Sequence, residues 1–253
     1  MISIVPQHYS WKVDNKEIKD VRLGNALFQV AGIIGVAFNR GYKYGFYPWV
    51  NQKFFNNPLP LIDTDIVYGN FKNPSTYLDF DLGFCGFDVP DNVIVDGYFG
   101  SYRYWERCQS LIRYFFQLKK DIYKPLRDCI IIQYRDYGKE FPDFMHLNWE
   151  NYYEKALSLM PDKKIYVVTD NPVAAKKDIK LDCEYLNISP IVDFFLICNA
   201  DYLIMSNSTF SWWGAYLSEA ETVAPAQWFD PNGAFADCPI NNDDFYFDYW
   251  KVV

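Results

Sequence analysis

The sequence predicts an α/β fold, a parallel sheet with helices on both of its faces. Two observations carry this. From Cys129 onward, short β-branched runs alternate with stretches of helical spacing, the pattern of strands joined by crossover helices. The chain also has 253 residues, half of them hydrophobic and a fifth aromatic, enough to bury one large α/β domain or two small ones sharing a cleft.

Taken in order, Ile2–Val5 reads as a short strand and Leu23–Arg40 as a helix, opened by Gly24-Asn25 and closed at Gly41. Asn51–Pro90 is rich in Asn, Pro, Asp and aromatics without a sustained period and reads as irregular. Val93–Phe99 is a strand, and Tyr102–Lys119 has helical spacing through Trp105, Cys108, Leu111, Ile112 and Phe115. Cys129–Gln133 is apolar throughout its first four residues, as in a strand covered on both faces. Then follow a helix over Trp149–Met160, a strand over Lys164–Val168, a short helix over Pro172–Asp178 and a helix over Ile191–Cys198. A strand at Tyr202–Met205, a helix at Phe210–Ala220 and a strand at Thr222–Ala224 complete the series. Charge and proline gather in Lys119–Arg127, which marks a boundary between residues 1–122 and 123–253.

Composition excludes several functions. A net charge of -8 and a pI near 4.8 argue against nucleic acid, whose phosphates need clustered Lys and Arg. A basic pocket for one small phosphate ligand stays compatible with that charge. The six cysteines include no CxxC pair and read as small hydrophobes of a reducing compartment rather than disulfides or metal ligands. With only His8 and His146, a catalytic triad or histidine metal site has little to draw on. The first residues lack the basic start and apolar core of a signal peptide, and no apolar run near them spans a bilayer. The expectation is a cytoplasmic protein without a transmembrane segment.

In a parallel sheet, ligands gather where strand ends meet helix N-termini. The strongest such turn is Ser206-Asn207-Ser208-Thr209-Phe210. Its hydroxyls, with the unpaired first amides and dipole of the following helix, suit a phosphate. Helix capping by Ser208 or Thr209 is the plainer alternative.

Five segments in order resemble the family 11 glycosyltransferases, the α-1,2-fucosyltransferases. They are RLGNALFQVA (22–31), DGYF (96–99) with Ser101, Tyr104 and Trp105, VVTDNP (167–172), SNSTFSWWGAYL (206–217) and VAPAQWF (223–229). The resemblance implies a GT-B-like arrangement of two small Rossmann-like halves facing a cleft, 1–122 on the acceptor side and 123–253 holding the nucleotide-sugar donor. It implies inverting transfer of fucose from GDP-fucose to a hydroxyl of a glycan or glycoconjugate acceptor, without a metal or other cofactor. No DxD pair stands at a strand end, and Asp243-Asp244 reads as a solvated turn. A lipid-linked acceptor would bring peripheral membrane contact.

The departure lies in the family's HxRRGD(Y/F) motif, here Gln133-Tyr134-Arg135-Asp136-Tyr137. Laying Asp136-Tyr137 on the family's DY reproduces neither arginine. If one residue has been lost, Gln133 stands at the histidine and Arg135 at an arginine. A departing diphosphate without a metal needs a fixed cation, and Arg135 is the arginine at this strand end. A surface pair with Asp136 or Glu140 is the alternative.

The expected donor site is therefore Arg22, Gly24, Asn25, Gln133, Arg135, Asp193, Asn207, Ser208, Thr209 and Phe210, with Arg135, Asn25 and Asp136 doing the chemistry. Asn25 would position the sugar, or else cap its helix. Asp193 matches, in its placement, an acidic residue that binds guanine in related enzymes; otherwise it is a solvated helix charge. Asp136 is the expected base, with Asp170 at a neighbouring strand end the other carboxylate. Tyr98, Phe99 and Tyr102 could contact the acceptor, whereas Trp212 and Trp213 are expected in the core. A different nucleotide-sugar donor, or an inactive nucleotide- or glycan-binding relative, fits the altered loop as well.

Overall fold

The computed structural model describes residues 1–4, 12–13, 16–17, 22–72, 76–77, 80–81, 84, 86, 88–138, 141–233 and 242–253. Val5, at the end of the first predicted strand, and Glu140 lie outside them, as does His8. The chain divides into two compact units, Met1–Lys119 with Ile240–Tyr246, and Lys120–Pro239 with Phe247–Val253.

The first unit contains β1 (Ile2–Ile4), β2 (Lys12–Val13), β3 (Lys16–Glu17), α1 (Leu23–Arg40), β4 (Gly69–Lys72), β5 (Thr76–Tyr77), β6 (Phe80–Asp81), β7 (Val93–Asp96), α2 (Gln109–Phe115) and α7 (Asn242–Phe245). Its sheet runs β1-β7-β4, all parallel, while β2/β3 and β5/β6 are small antiparallel ribbons. α1 is buried from Ala26 to Ala37, as a helix apolar on nearly every side must be. Gly41, at φ 68, closes it in the left-handed conformation. The close approach on α1 is at Gly35, where a Cβ would stand 2.1 Å from the Tyr104 carbonyl oxygen.

Three expectations in this unit are corrected. The irregular stretch Asn51–Pro90 contains β4, a strand too short and too poor in β-branched residues to show a period. The helix expected over Tyr102–Lys119 is α only at Gln109–Phe115. Short 3-10 turns at Tyr102–Tyr104 and Glu106–Cys108 precede it, the first capped by the Ser101 hydroxyl. Asp244 is not a solvated turn residue, because its carboxylate pairs with Arg103 at 2.6 Å and its carbonyl accepts from Ser101 Oγ at 2.6 Å.

The second unit contains β8 (Cys129–Tyr134), a π-helical turn (Trp149–Tyr153) leading into α3 (Glu154–Ser158), β9 (Lys164–Thr169), α4 (Pro172–Ile179), β10 (Glu184–Leu186) and α5 (Pro190–Cys198). β11 (Tyr202–Ile204), α6 (Thr209–Ser218), β12 (Glu221–Ala224) and β13 (Lys251–Val252) follow. All six strands are parallel in the order β10-β9-β8-β11-β12-β13. Counted from β8, that is 3-2-1-4-5-6, the doubly wound order of a Rossmann sheet. β8 is buried at every residue, and Ile130, Ile132, Val167, Ile204 and Val223 share one core with Tyr134, Tyr152 and Tyr153. Helical residues close that core, with Tyr152, Tyr153 and Ala156 from the 149–158 segment and Ala175 and Ile179 from α4. α4 and α5 both carry proline in their first turn behind a side-chain cap, Asn171 and Ser189.

Trp212 and Trp213 are fully buried, as expected. Trp212 stacks on Tyr216 and meets Phe247 and Trp250. α5 and α6 meet at Gly214, where a Cβ would stand 2.1 Å from Ile197 Cγ2.

Candidate functional site

In the second unit the strand order reverses between β8 and β11, and a doubly wound sheet binds its ligands outside the carboxyl ends of the strands at that point. The loops there are residues 135–138, after β8, and 205–208, between β11 and α6; the 170–171 turn after β9 adjoins them. These segments are bonded to one another. Ser206 Oγ donates to Gln133 Oε1 in a buried contact, and Tyr137 Oη donates to the Asn207 carbonyl at 2.6 Å. The Tyr137 ring is stacked on Phe144 with centroids 4.2 Å apart.

Arg135 pairs with Asp170, with Nη1 donating to Oδ2, rather than with Asp136; Glu140, the other expected partner, lies outside the described residues. Its guanidinium lies 5.7 Å from the centre of the Tyr137 ring. The other Asp170 oxygen accepts from the Asp136 backbone N–H at 3.1 Å. Asp136 is half-buried, and its Oδ2 accepts from Asn171 Nδ2 at 2.7 Å. Asn171 meanwhile caps α4 through Oδ1.

Several predicted donor contacts are spent inside the protein. Gln133 is buried and bridges, accepting from Ser206 and donating from Nε2 to the Tyr134 carbonyl at 3.0 Å. Asn207 is buried and donates from Nδ2 to the carbonyls of Trp228 at 2.7 Å and Met145 at 2.9 Å, so it shapes the turn. Ser208 is the N-cap of α6, its Oγ accepting from the Phe210 amide at 3.3 Å. Capping is thus real at Ser208, and it engages the Phe210 amide while leaving the hydroxyl hydrogen to donate. Phe210 packs its ring on Phe194. Thr209 opens α6 and is half-buried.

Asp193 is 7% exposed, which overturns the solvated-charge alternative. It sits in the first turn of α5, with Oδ1 accepting from the Ile188 N–H at 3.2 Å. Burial raises its pKa, against the lowering effect of the Ile188 and Ser189 amides. The folded state therefore holds the Asp193 proton more tightly than the unfolded chain. The stability this gives is present at low pH and is lost as pH rises through the raised value. Asp193→Asn, which keeps the acceptor for Ile188, should raise the Tm at neutral pH and flatten its fall from acidic to neutral pH. An unchanged pH profile of Tm would show that Asp193 carries no such cost.

In the first unit, Arg22 is the exposed N-cap residue of α1 and makes no side-chain capping bond. Gly24 is buried and Asn25 half-buried in the first turn, so Asn25 is not the cap. Phe99 is a core residue rather than an acceptor contact: it is fully buried, with φ 57, against Tyr104 and Gly32. Tyr98 and Tyr102 are half-buried. Asp170 and Tyr137 are the site residues that residue type alone did not single out as donor contacts, and the signal for both was their place at strand ends. Among the described residues no group of three or more His, Cys, Asp and Glu side chains is placed to hold a metal ion. No helix there is long and apolar enough to cross a membrane.

The profile of the family described as Glycosyl transferase family 11 matches residues 117–252. The chain is similar to a galactoside 2-alpha-L-fucosyltransferase of Caenorhabditis elegans, 23% identical over 91% of this chain and 76% of that protein. A shorter stretch, 53 residues covering 19% of this chain and 18% of the relative, is 45% identical to an alpha-1,2-colitosyltransferase of Escherichia coli. Among solved structures, a mutant of Arabidopsis thaliana FUT1 in complex with GDP superposes with a TM-score of 0.51 at 12% identity, covering 80% of this chain and 68% of that one. At that identity the likeness is one of fold, which is the α/β, GT-B-like fold.

Proposed function

The chain belongs to glycosyl transferase family 11 and is a glycosyltransferase, and on that footing we propose that it moves fucose from GDP-fucose to a hydroxyl of a glycan acceptor. The linkage in this proposal is α-1,2, formed with inversion and without a metal. The observation that carries it is Arg135, held by Asp170 and Tyr137 at the switch point of a Rossmann-ordered sheet. Breaking the sugar–phosphate bond leaves negative charge on the diphosphate, and a fixed guanidinium, like the hydroxyls and amides of a helix start such as Ser208 and Thr209, is the kind of group that stabilises it. Asp193 is the carboxylate assigned to the guanine, whose N1–H and amino group would both donate to it. Asp136, oriented by Asn171, is assigned as the base that takes the acceptor proton. For Arg22, Gly24 and Asn25 a donor role rests on the resemblance of RLGN alone.

Both named relatives carry an α-1,2 specificity in their names, and they differ in the sugar. The second reading, the same transfer from a different nucleotide-sugar donor such as one carrying colitose, is favoured by the 45% identical stretch and by the single arginine of the 133–137 loop.

Calorimetric titration with GDP and UDP tests the donor assignment. GDP should bind and UDP should bind at least about tenfold more weakly, a difference of 1.4 kcal/mol. Equal affinities would remove the guanine role of Asp193, and no binding of either would remove the donor site altogether. Binding of GDP without any transfer would mark an inactive nucleotide-binding relative.

A further inference from the structure

We infer that Asp170 is a positioning residue for sugar transfer: its carboxylate sets both the guanidinium of Arg135 and the backbone that presents Asp136. The inference rests on the reading of the 135–138 loop as part of the donor site and goes beyond it, because Asp170 itself need not touch the donor.

The geometry differs from that of an ordinary surface ion pair. One carboxylate oxygen meets Arg135 Nη1 and the other accepts the N–H of Asp136, so a single side chain fixes two consecutive residues at once. The clamp is itself held. The Asp170 carbonyl accepts from Asn187 Nδ2 at 3.2 Å, and the next residue, Asn171, is locked as the α4 cap with its own N–H on Thr169 Oγ1 at 3.0 Å. Asn171 then reaches back to Asp136 Oδ2. The Thr169-Asp170-Asn171 strand end thus grips the Arg135-Asp136 pair at a guanidinium, a backbone amide and a carboxylate. On the Tyr137 side the guanidinium lies near an aromatic ring that is itself stacked on Phe144.

The chemistry gives this grip a purpose. Arginine is long and loses rotamer freedom when it is ordered, and a site that orders it beforehand spares the donor that cost. Arg135 is the one arginine of the 133–137 segment, so its placement matters to the site. Guanidinium has five N–H donors in a fixed fork, so one can stay on Asp170 while others meet a diphosphate. A latch is the competing role, in which Asp170 blocks Arg135 until the donor displaces it. The two roles predict opposite signs.

The test is Asp170→Asn, which keeps an acceptor for the Asp136 N–H and removes the charge facing Arg135. It is made in the unaltered chain and in Arg135→Ala, with GDP affinity and kcat/KM for the donor sugar measured in each. Positioning predicts a loss of about 10- to 100-fold in kcat/KM in the first background and less than about twofold in the second, because no guanidinium remains to be placed. As a second readout, added guanidinium ion should restore part of the Arg135→Ala turnover when Asp170 is intact and none when it is Asn. Tighter GDP binding by Asp170→Asn overturns the inference in favour of a latch. Equal losses in both backgrounds, or guanidinium rescue without Asp170, overturn it in favour of an independent role. If the unaltered chain binds no GDP, the donor-site reading fails and the inference fails with it; GDP binding in that control separates the two.

Discussion

Arg135→Ala should lower kcat for sugar transfer by about 10²- to 10³-fold, the typical result of removing one preorganised donor to a developing anion. The loss falls mainly on kcat. The charge on the diphosphate grows as the sugar leaves, so the guanidinium contributes more in the transition state than in the bound ground state. Arg135→Lys should recover only part of the rate, because a compact ammonium on a flexible stem does not reproduce the planar, multi-donor guanidinium that pairs with Asp170 and lies 5.7 Å from the centre of the Tyr137 ring. Steady-state kinetics with circular dichroism as a folding control reads this out. A variant that folds and turns over at the native rate would mean that the 133–137 segment is aligned wrongly with the family motif, and that the cation stands elsewhere.

Gly214→Val is the second large effect, and it acts on folding. A Cβ at position 214 would lie 2.1 Å from Ile197 Cγ2 and 3.0 Å from Ile197 Cβ, in a core where Ile197 is fully buried. The obstructing methyl is branched at Cβ and cannot swing aside as the tip of a long side chain would. Overpacking of this kind costs about 1–3 kcal/mol and sometimes more, with a Tm fall of about 2–4 °C per kcal/mol for a chain of this size. The consequence reaches the site, because α6 begins at Thr209 behind the Ser208 cap and is seated on α5 by this contact. Ile197→Ala combined with Gly214→Ala should destabilise by less than the sum of the two single changes, since the cavity left by one receives the methyl of the other. Strict additivity in thermal melts would contradict a direct contact.

These two residues also show what the sequence could and could not convey. Arg135 was legible: an apolar run that ends at an arginine marks a strand end, and strand ends in parallel sheets carry ligands. The central strands were legible for the same reason, since β8 is buried at every residue and its run Cys129–Ile132 is apolar. The edge strands β10 and β13 left no signal, being two or three residues long and partly exposed. The 102–119 stretch has helical spacing and yet turns through two 3-10 segments first, because the Ser101 cap and the packing at Gly35 override local periodicity. Asp170 as the partner of Arg135 could not be read, because that pairing depends on which strand lies beside β8, and strand order is not written in any local pattern. The engagement of Asn207 with Met145 and Trp228 is hidden likewise. Residue type predicted polar groups at the turn, and only the packing decides which of them face inward.

The most direct test of the central claim is a transfer assay with the unaltered chain, GDP-fucose and a panel of glycan acceptors, with the product linkage determined by NMR. The account predicts release of GDP with formation of an α-1,2-linked fucoside, and the same turnover after chelation of divalent metal. A product of different linkage, or turnover that requires a metal, would contradict it.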